Sequence, residues 1–175
     1  MSRSPYFFVE RFDCNTGKYE MQHPIVWNYN HTKQEPADLF PYNGCHDLFS
    51  IVEDNGHDDF PAMRGIHQGL PENVAKEIKE NYDQCCYETE YAGEKHLYTP
   101  IVRWFSYADM YIYCLEHPKV IDYEAMDYEG ENAEKIFMPT PMKKLKERVD
   151  AFLEVMDGWD WRDDYSQIRI VYWIE

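Results

Sequence analysis

The chain has 175 residues, of which 44% are hydrophobic, and its formal net charge is -16 at pH 7. This length suits one domain with an ordinary core, and the hydrophobic content excludes a disordered acidic tail. The negative field repels nucleic-acid backbones and anionic membranes at long range. Direct nucleic-acid binding and membrane binding are therefore not predicted.

The cysteines and the apolar runs indicate the compartment. The five cysteines have no regular spacing, and no apolar run approaches the roughly 20 residues that a membrane-spanning helix needs. The opening residues lack the pattern of a signal peptide. We therefore expect a soluble, reduced protein in the cytoplasm.

The first half of the chain predicts a hairpin followed by helices. Residues Tyr6–Phe12 and Tyr19–Trp27 have strand-like patterns, and the polar residues between them suit a turn. A polar, Pro-interrupted loop is expected over Asn28–Asn43. Helical patterns then follow over Asp47–Glu53 and from Pro71 to about Tyr82.

The second half predicts a mixture of strands and helices. A strand over Thr99–Phe105 precedes a helix over Tyr107–His117, and two strands around a turn are predicted within Val120–Met138. The longest helix is predicted from Thr140 to about Met156. A final strand over Gln167–Ile174 carries apolar groups on both faces, which predicts an interior strand. This order predicts one α+β domain, with three to four helices packed on a mainly antiparallel sheet.

Two His-Asp pairs suggest metal chemistry. Imidazole and carboxylate groups both bind divalent ions, which makes His46, Asp47, His57 and Asp58 candidates for a metal-dependent phosphohydrolase. Their spacing does not direct two ligands to one point on a helix. Asp47 also stands where a helix N-cap or first-turn acid is expected. A structural role is therefore favoured, and the hydrolase is kept as a third alternative.

Other catalytic motifs are missing from the sequence. It contains no Gly-x-Ser-x-Gly elbow, no Walker loop, no Gly-x-Gly-x-x-Gly and no paired Cys/His zinc spacing. Cys45 and His46 are adjacent, and adjacent side chains usually point apart. The chain is more typical of a binding protein than of an enzyme, and no cofactor or metal is predicted.

Two groups of residues suggest a binding pocket. Arg64, His67 and Gln68 precede a predicted helix, whose N-terminus presents free N–H groups and a partial positive charge suited to an anion. A second basic and aromatic group suits a stacked base and a phosphate. It consists of Lys95, His96, Tyr98, Arg103 and Trp104. For Trp104 a core position is the favoured interpretation, because tryptophan is highly buried on average.

Two acidic runs suggest a different function. Residues 122–134 and 157–164 are rich in carboxylates, and carboxylates spread along a surface can imitate a phosphate backbone. An inhibitor that binds a host or defence protein by such mimicry is therefore an alternative. Ordinary solvated acidic faces are commoner.

Four segments spread over the chain carry a resemblance to known proteins. They are FFVERFDCNTGKYE (7–20), HDLFSIV (46–52), RGIHQGLPENV (64–74) and QIRIVYWIE (167–175). Together they resemble a family of small acidic proteins of unassigned role encoded by bacteriophages and prophages. The resemblance implies an accessory phage protein in the host bacterial cytoplasm, and such proteins often disarm host defence.

The resemblance and the candidate residues together predict a specific function. We expect an anti-defence protein that sequesters a nucleotide-derived immune signal without turnover. An oligomer is expected, because traps commonly place ligands between subunits. The predicted ligand-binding residues are Arg64, His67, Gln68, His96, Tyr98, Arg103, Trp104, His46 and Asp47.

Overall fold

The computed structural model describes residues 5–26, 48, 51–53, 60–122, 136–154 and 165–174. These ranges contain nine strands and three helices of ten or more residues, and Leu48 and residues 51–53 are also helical. In chain order the elements are β1 (Pro5–Asp13), β2 (Lys18–Val26), β3 (His67–Gln68), α1 (Lys76–Cys85), β4 (Tyr87–Tyr91), β5 (Glu94–Tyr98), β6 (Ile101–Ser106), α2 (Tyr107–Glu116), β7 (Lys119–Ile121), β8 (Phe137–Pro139), α3 (Pro141–Glu154), a 3-10 turn (Tyr165–Gln167) and β9 (Ile168–Ile174). The α+β class with a mainly antiparallel sheet is confirmed.

The chain divides into two compact units. Unit 1 comprises Met1–Leu39, Gly65–Ala108 and Asp160–Glu175, and unit 2 comprises Phe40–Arg64 and Asp109–Trp159. The chain length predicts one folding domain, and this remains a prediction, because two compact units can belong to one domain.

Unit 1 is built on a five-stranded sheet in the order β2-β1-β9-β6-β3, with every pair antiparallel. The predicted hairpin is present as β1 and β2. Its turn is closed by hydrogen bonds from the backbone N–H groups of Asn15 and Gly17 to the side chain and the carbonyl of Asp13, at 2.9 and 2.8 Å. Gly17 has φ 68°, a left-handed conformation that glycine adopts without steric cost. The polar residues between the two strands thus form the turn of the hairpin, as the sequence predicts.

Strand β9 lies between β1 and β6, so the predicted interior strand is confirmed. Its apolar residues face both sides of the sheet, as expected for a strand buried on both faces. On one side Val171 and Trp173 join a core with Phe8, Val102 and residues of α1. On the other side the Tyr172 ring contacts Phe7 and Phe105, with ring centroids 5.3 and 6.4 Å apart.

Helix α1 packs on the first of these two faces through Ile78 and Cys85. It begins at Lys76, so the predicted start near Pro71 is wrong. Residues 71–75 instead form a turn, in which the Val74 N–H donates to the Pro71 carbonyl at 3.1 Å. The backbone N–H of the N-cap residue Ala75 donates to a glutamate side chain from β1, and this contact marks the helix entry.

A second hairpin, formed by β4 and β5, is a feature that the sequence patterns do not predict. Apart from the half-buried Tyr98, all its strand residues are exposed, so burial does not impose an apolar face on this hairpin. Its two-residue loop places both Ala92 and Gly93 at positive φ, 54° and 83°. This combination matches a type I′ turn.

Unit 2 contains most of α2, the β7–β8 pair and α3. The predicted helices over Tyr107–His117 and Thr140–Met156 and the two strands within 120–138 are present, with ends shifted by a few residues. The apolar positions of α3 lie at helical spacing and are buried, at Met142, Leu145, Val149 and Leu153. Leu48, Ile51 and Val52, which belong to the predicted helix over Asp47–Glu53, are also buried.

Some expected features lie outside the described residues. They are the loop over 28–43, the start of the first predicted helix at Asp47 and the turn between the two strands predicted within Val120–Met138. None of the helices in the described ranges has the length and apolar character to cross a membrane.

Candidate ligand-binding site

A buried ion pair lies on the face of the unit 1 sheet that α1 covers. Glu10 of β1 and Arg169 of β9 are directly opposite each other in the antiparallel register. Glu10 is fully buried and Arg169 is 4% exposed. The Arg169 Nε–H donates to Glu10 Oε1, and the Ala75 N–H donates to Glu10 Oε2 at 2.9 Å. Both carboxylate oxygens are therefore held by donors, as a buried charge requires.

The carboxylate of Glu10 occupies a place that the sequence suggested for an external anion. The Ala75 N–H belongs to the entry of α1, where partial positive charge accumulates. Burial raises the pKa of the Glu10 carboxyl, and the Ala75 N–H and the Arg169 guanidinium offset part of that rise. The protein thus supplies its own anion at this helix entry.

The guanidinium of Arg169 is held on several sides. Its Nη1–H donates to Asn73 Oδ1 at 2.9 Å. Its Cζ atom lies 3.6 Å from the ring centroid of Tyr19 and 5.3 Å from that of Trp104. Both separations fall within cation–π range. The remaining group, Nη2, is buried and has no hydrogen-bond partner in the described part of the chain. A buried donor without an acceptor is costly, so it indicates a place for one.

The same tryptophan carries a stacked imidazole. Strand β3 pairs with β6 so that His67 lies opposite Trp104 and Gln68 lies opposite Arg103. The rings of His67 and Trp104 stack with centroids 4.0 Å apart and an interplanar angle of 15°. The Gly69 N–H donates to the Val102 carbonyl at 3.0 Å and continues this pairing past β3. His67 is exposed and Trp104 is half-buried, so the stack connects the buried Arg169 to the surface.

Other predicted residues of unit 1 lie elsewhere on the sheets. Gln68 directly follows His67, and Arg103 directly precedes Trp104. Because neighbouring residues of a strand point to opposite faces, Gln68 and Arg103 lie on the face opposite the stacked rings. The Arg103 Nη1–H donates to the Val102 carbonyl at 3.1 Å. His96 and Tyr98 belong to β5 in a separate sheet. There His96 Nε2 lies 4.0 Å from the Glu94 carboxylate, and Tyr98 stacks on Tyr87 with centroids 4.8 Å apart.

The remaining predicted residues belong to unit 2 or lie outside the description. Arg64 belongs to unit 2 and lines a cavity there. His46 and Asp47, together with His57 and Asp58 of the proposed metal pairs, are outside the described residues. In the ranges that the structure describes, no group of three or more His, Cys, Asp or Glu side chains is arranged to hold a metal ion.

Four residues of the site were not predicted: Glu10, Tyr19, Asn73 and Arg169. A signal for two of them was present. Glu10 follows Phe8 by two residues and Arg169 precedes Val171 by two, so each charge shares a strand face with buried apolar residues. Opposite charges on the apolar faces of two strands indicate a buried pair if the strands are neighbours. Tyr19 and Asn73 gave no comparable signal.

Comparison of the chain with protein-family models, with curated proteins and with solved structures gives no match in any of the three. The case for a function therefore rests on the side chains of the site. We name the set of His67, Trp104, Arg169 and Tyr19 the arginine-aromatic site.

Proposed function

We propose that the protein is a non-catalytic binding protein that sequesters a nucleotide-derived ligand at the arginine-aromatic site. The supporting observation is the buried Nη2 group of Arg169, which has no acceptor in the described part of the chain. The Cζ atom of the same guanidinium lies 5.3 Å from the ring centroid of Trp104, on which His67 stacks. A nucleotide combines a planar base with oxygen acceptors. Those are the two features that an aromatic stack and a guanidinium bind.

The charge of the protein explains why such a site needs a buried arginine. An anionic ligand approaches a molecule with a formal charge of -16. An exposed lysine would be screened by salt and would gain little. Arg169 is 4% exposed, so its guanidinium lies where screening is weak, and a phosphate or carbonyl oxygen at Nη2 would complete its hydrogen bonds.

The arrangement favours holding a ligand over transforming it. Glu10 is the carboxylate nearest to the guanidinium, and both its oxygens already accept hydrogen bonds. It is therefore committed to positioning Arg169 and to capping the entry of α1. The imidazole of His67 is engaged in the stack on Trp104. Under this proposal the ligand leaves the site unchanged.

The biological setting comes from the resemblance to phage proteins. A small accessory phage protein that retains a nucleotide-derived immune signal would deprive host defence of its messenger. The ligand class for the first test is therefore cyclic nucleotides and ADP-ribose derivatives.

A thermal-shift screen tests binding, because a ligand that binds only the folded state raises the melting temperature. We expect at least one cyclic nucleotide or ADP-ribose derivative to raise it in a saturable way. The bound compound should be recovered intact after denaturation. Recovery of a cleaved product would replace sequestration with catalysis, and no response across the whole panel would remove the proposal.

Substitutions of two exposed histidines test whether the ligand binds at the arginine-aromatic site. We expect His67→Ala to weaken binding by about tenfold, because base–aromatic stacking contributes roughly 1–3 kcal/mol. His96→Ala is the matched control, since His96 is also an exposed strand histidine and lies in the other sheet. Equal losses in both variants would show that the arginine-aromatic site is not where the ligand binds.

A second candidate function is binding of a host protein, which the β4–β5 hairpin favours. The hairpin exposes Tyr91 by 77% and Leu97 by 67%, and it also exposes the carboxylates of Glu88, Glu90 and Glu94. The hairpin also carries Lys95, whose Nζ lies 3.6 Å from the Glu88 carboxylate, so acids exceed bases on it without being alone. Exposed apolar groups beside an excess of one sign of charge are typical of a surface that meets an oppositely charged partner. A partner that co-purifies, dissociates in high salt and is lost on Tyr91→Ala would support this candidate. A melting temperature that no nucleotide changes would support it further.

A further inference from the structure

A cavity of about 200 Å³ in unit 2 is lined by Arg64. The sequence predicted a binding role for this arginine, and it does not belong to the arginine-aromatic site. The polar lining residues of the cavity are Arg64, Asp109, Tyr113, Glu116 and His117. All of them belong to the residues of unit 2. The cavity is therefore a feature of that unit alone.

One face of α2 forms a wall of the cavity. Asp109, Tyr113 and Glu116 are spaced by four and three residues, which places them on the same side of a helix. The ring of His117 lies against that of Tyr113, with centroids 4.9 Å apart and an interplanar angle of 48°. This wall therefore combines two carboxylates with an aromatic surface.

Hydrogen bonds fix the segment that carries Arg64. The hydroxyl of Tyr113 donates to the Pro61 carbonyl at 2.8 Å, so the cavity wall itself holds the segment. The Met63 N–H donates to the Ile51 carbonyl at 3.1 Å, and the Met63 side chain is buried. Arg64 follows directly and is exposed. It makes no hydrogen bond or ion pair with any residue that the structure describes.

The size of the cavity limits what can bind. A volume of about 200 Å³ exceeds several-fold what a single water molecule needs, so the cavity has room for a small molecule. Pockets for drug-sized ligands are typically larger, at about 300–1,000 Å³. A nucleotide does not fit within this volume, whereas a molecule of amino-acid size does.

The charges on the lining specify the ligand further. A guanidinium binds carboxylates in a bidentate manner, and carboxylates bind ammonium groups. Arg64 supplies the first, and Asp109 and Glu116 supply the second. A purely anionic ligand would meet the two carboxylates, and a purely cationic one would meet the arginine. A ligand with both charges avoids either repulsion.

We propose that this cavity binds a small zwitterion of the α-amino acid class, with its carboxylate at Arg64 and its ammonium group at Asp109 and Glu116. This site is additional to the arginine-aromatic site and does not depend on nucleotide binding there. The Tyr113 and His117 rings contact the ligand's carbon atoms.

Binding is tested by NMR titration of the full-length protein with the proteinogenic amino acids, beginning with alanine. Propionate and ethylamine, which each carry one of the two charges of alanine, serve as probes of the separate halves. We expect at least one amino acid to shift the amide signals of residues 61–64 and 109–117 in a saturable way. Each half should bind about tenfold more weakly or worse, because each loses one charge-assisted contact.

Variants identify the two poles of the site. Arg64→Gln and Glu116→Gln should each weaken amino-acid binding by about tenfold, and the amide spectrum reports that the fold is retained. Lys144→Gln is the control, because Lys144 is an exposed residue of α3 in the same unit and does not line the cavity. The proposal is overturned if no amino acid gives saturable shifts, if ethylamine or propionate binds as well as the amino acid that binds most tightly, or if Arg64→Gln binds that amino acid normally.

Discussion

The two arginines that matter most for function, Arg169 and Arg64, have opposite environments. Arg169 is 4% exposed and is held by Glu10, Asn73 and two aromatic rings. Arg64 is exposed and makes no hydrogen bond or ion pair within the described ranges. The first belongs to the central strand of the unit 1 sheet, and the second belongs to a short segment beside a cavity of unit 2.

A buried and an exposed guanidinium bind a ligand in different ways. A buried guanidinium must be paired, and the same partners that satisfy it also fix its direction. An exposed guanidinium contributes little to stability, and its side chain must be ordered by the ligand. Loss of Arg169 should therefore affect folding and binding together, whereas loss of Arg64 should affect binding alone.

The largest effect is expected for Arg169→Met. This change leaves the buried Glu10 carboxylate without its guanidinium, and breaking a buried pair on one side costs about 3–5 kcal/mol. Urea unfolding followed by circular dichroism measures the loss. A loss below about 1 kcal/mol would show that the pair is not buried in solution.

A double variant distinguishes the pair from the packing around it. In Glu10→Gln/Arg169→Met the charge is removed from both sides, and the glutamine oxygen still accepts the Ala75 N–H. Replacing both members of a buried pair is often close to neutral, so most of the stability should return. Ligand binding should stay lost, because the guanidinium is absent.

A smaller effect is expected for Tyr113→Phe. The variant lacks the hydrogen bond to the Pro61 carbonyl, which should cost about 1 kcal/mol in urea unfolding at neutral pH. Burial raises the pKa of Tyr113 to about 12, above the value of about 10 in an unfolded chain. The contribution of this tyrosine is therefore fully present below about pH 10 and is lost as the pH rises through about 12.

Ultraviolet titration of tyrosinate provides a second readout for Tyr113. The difference between the wild-type and Tyr113→Phe titrations should have its midpoint near pH 12. A midpoint near 10 would mean that the hydroxyl is accessible to water and that the Arg64 segment is not held by it.

A stabilising change in the β4–β5 hairpin provides an internal standard for unit 1. Ala92 has φ 54°, a conformation that costs a residue with a Cβ about 1 kcal/mol and costs glycine nothing. Ala92→Gly should raise the unfolding free energy by about 0.5 kcal/mol after the entropy of the added glycine is counted. Its effect should add to that of Arg169→Met, and failure to add would indicate coupling between the hairpin and the ion pair.

The smallest effect on stability is expected for Arg64→Gln. Because Arg64 is exposed and has no partner in the described part of the chain, the change in unfolding free energy should stay within about 0.5 kcal/mol. The same urea experiment measures it beside Arg169→Met. A loss as large as that of Arg169→Met would remove the distinction between the two arginines.

Much of the fold follows from local patterns in the sequence. The apolar runs of β1 and β9 are buried on both faces of the sheet, and the apolar positions of α3 are buried at helical spacing, so burial enforces the patterns that predict these elements. The β4–β5 hairpin was missed because its exposed faces require no apolar alternation. The start of α1 was misplaced because a turn at Pro71 and a cap from Glu10 precede it. A cap supplied by a distant strand leaves no local signal.

The candidate site is predictable in part. His67 and Trp104 are both among the predicted ligand-binding residues, and the structure stacks them. Arg169 reaches the rings of Trp104 and Tyr19 only through the order and register of the strands. Register is a long-range property that one sequence does not specify. The separation of Arg103 from Trp104 is different in kind, because neighbouring residues of one strand lie on opposite faces and a predicted strand over Thr99–Phe105 already implies it.

The most direct test of ligand sequestration is mass spectrometry of what the protein releases on boiling after purification from cells with active defence. We predict an intact nucleotide-derived molecule, present in the His96→Ala protein and depleted in His67→Ala. Finding no such molecule, finding only its cleavage products, or finding it undiminished in His67→Ala would contradict the account.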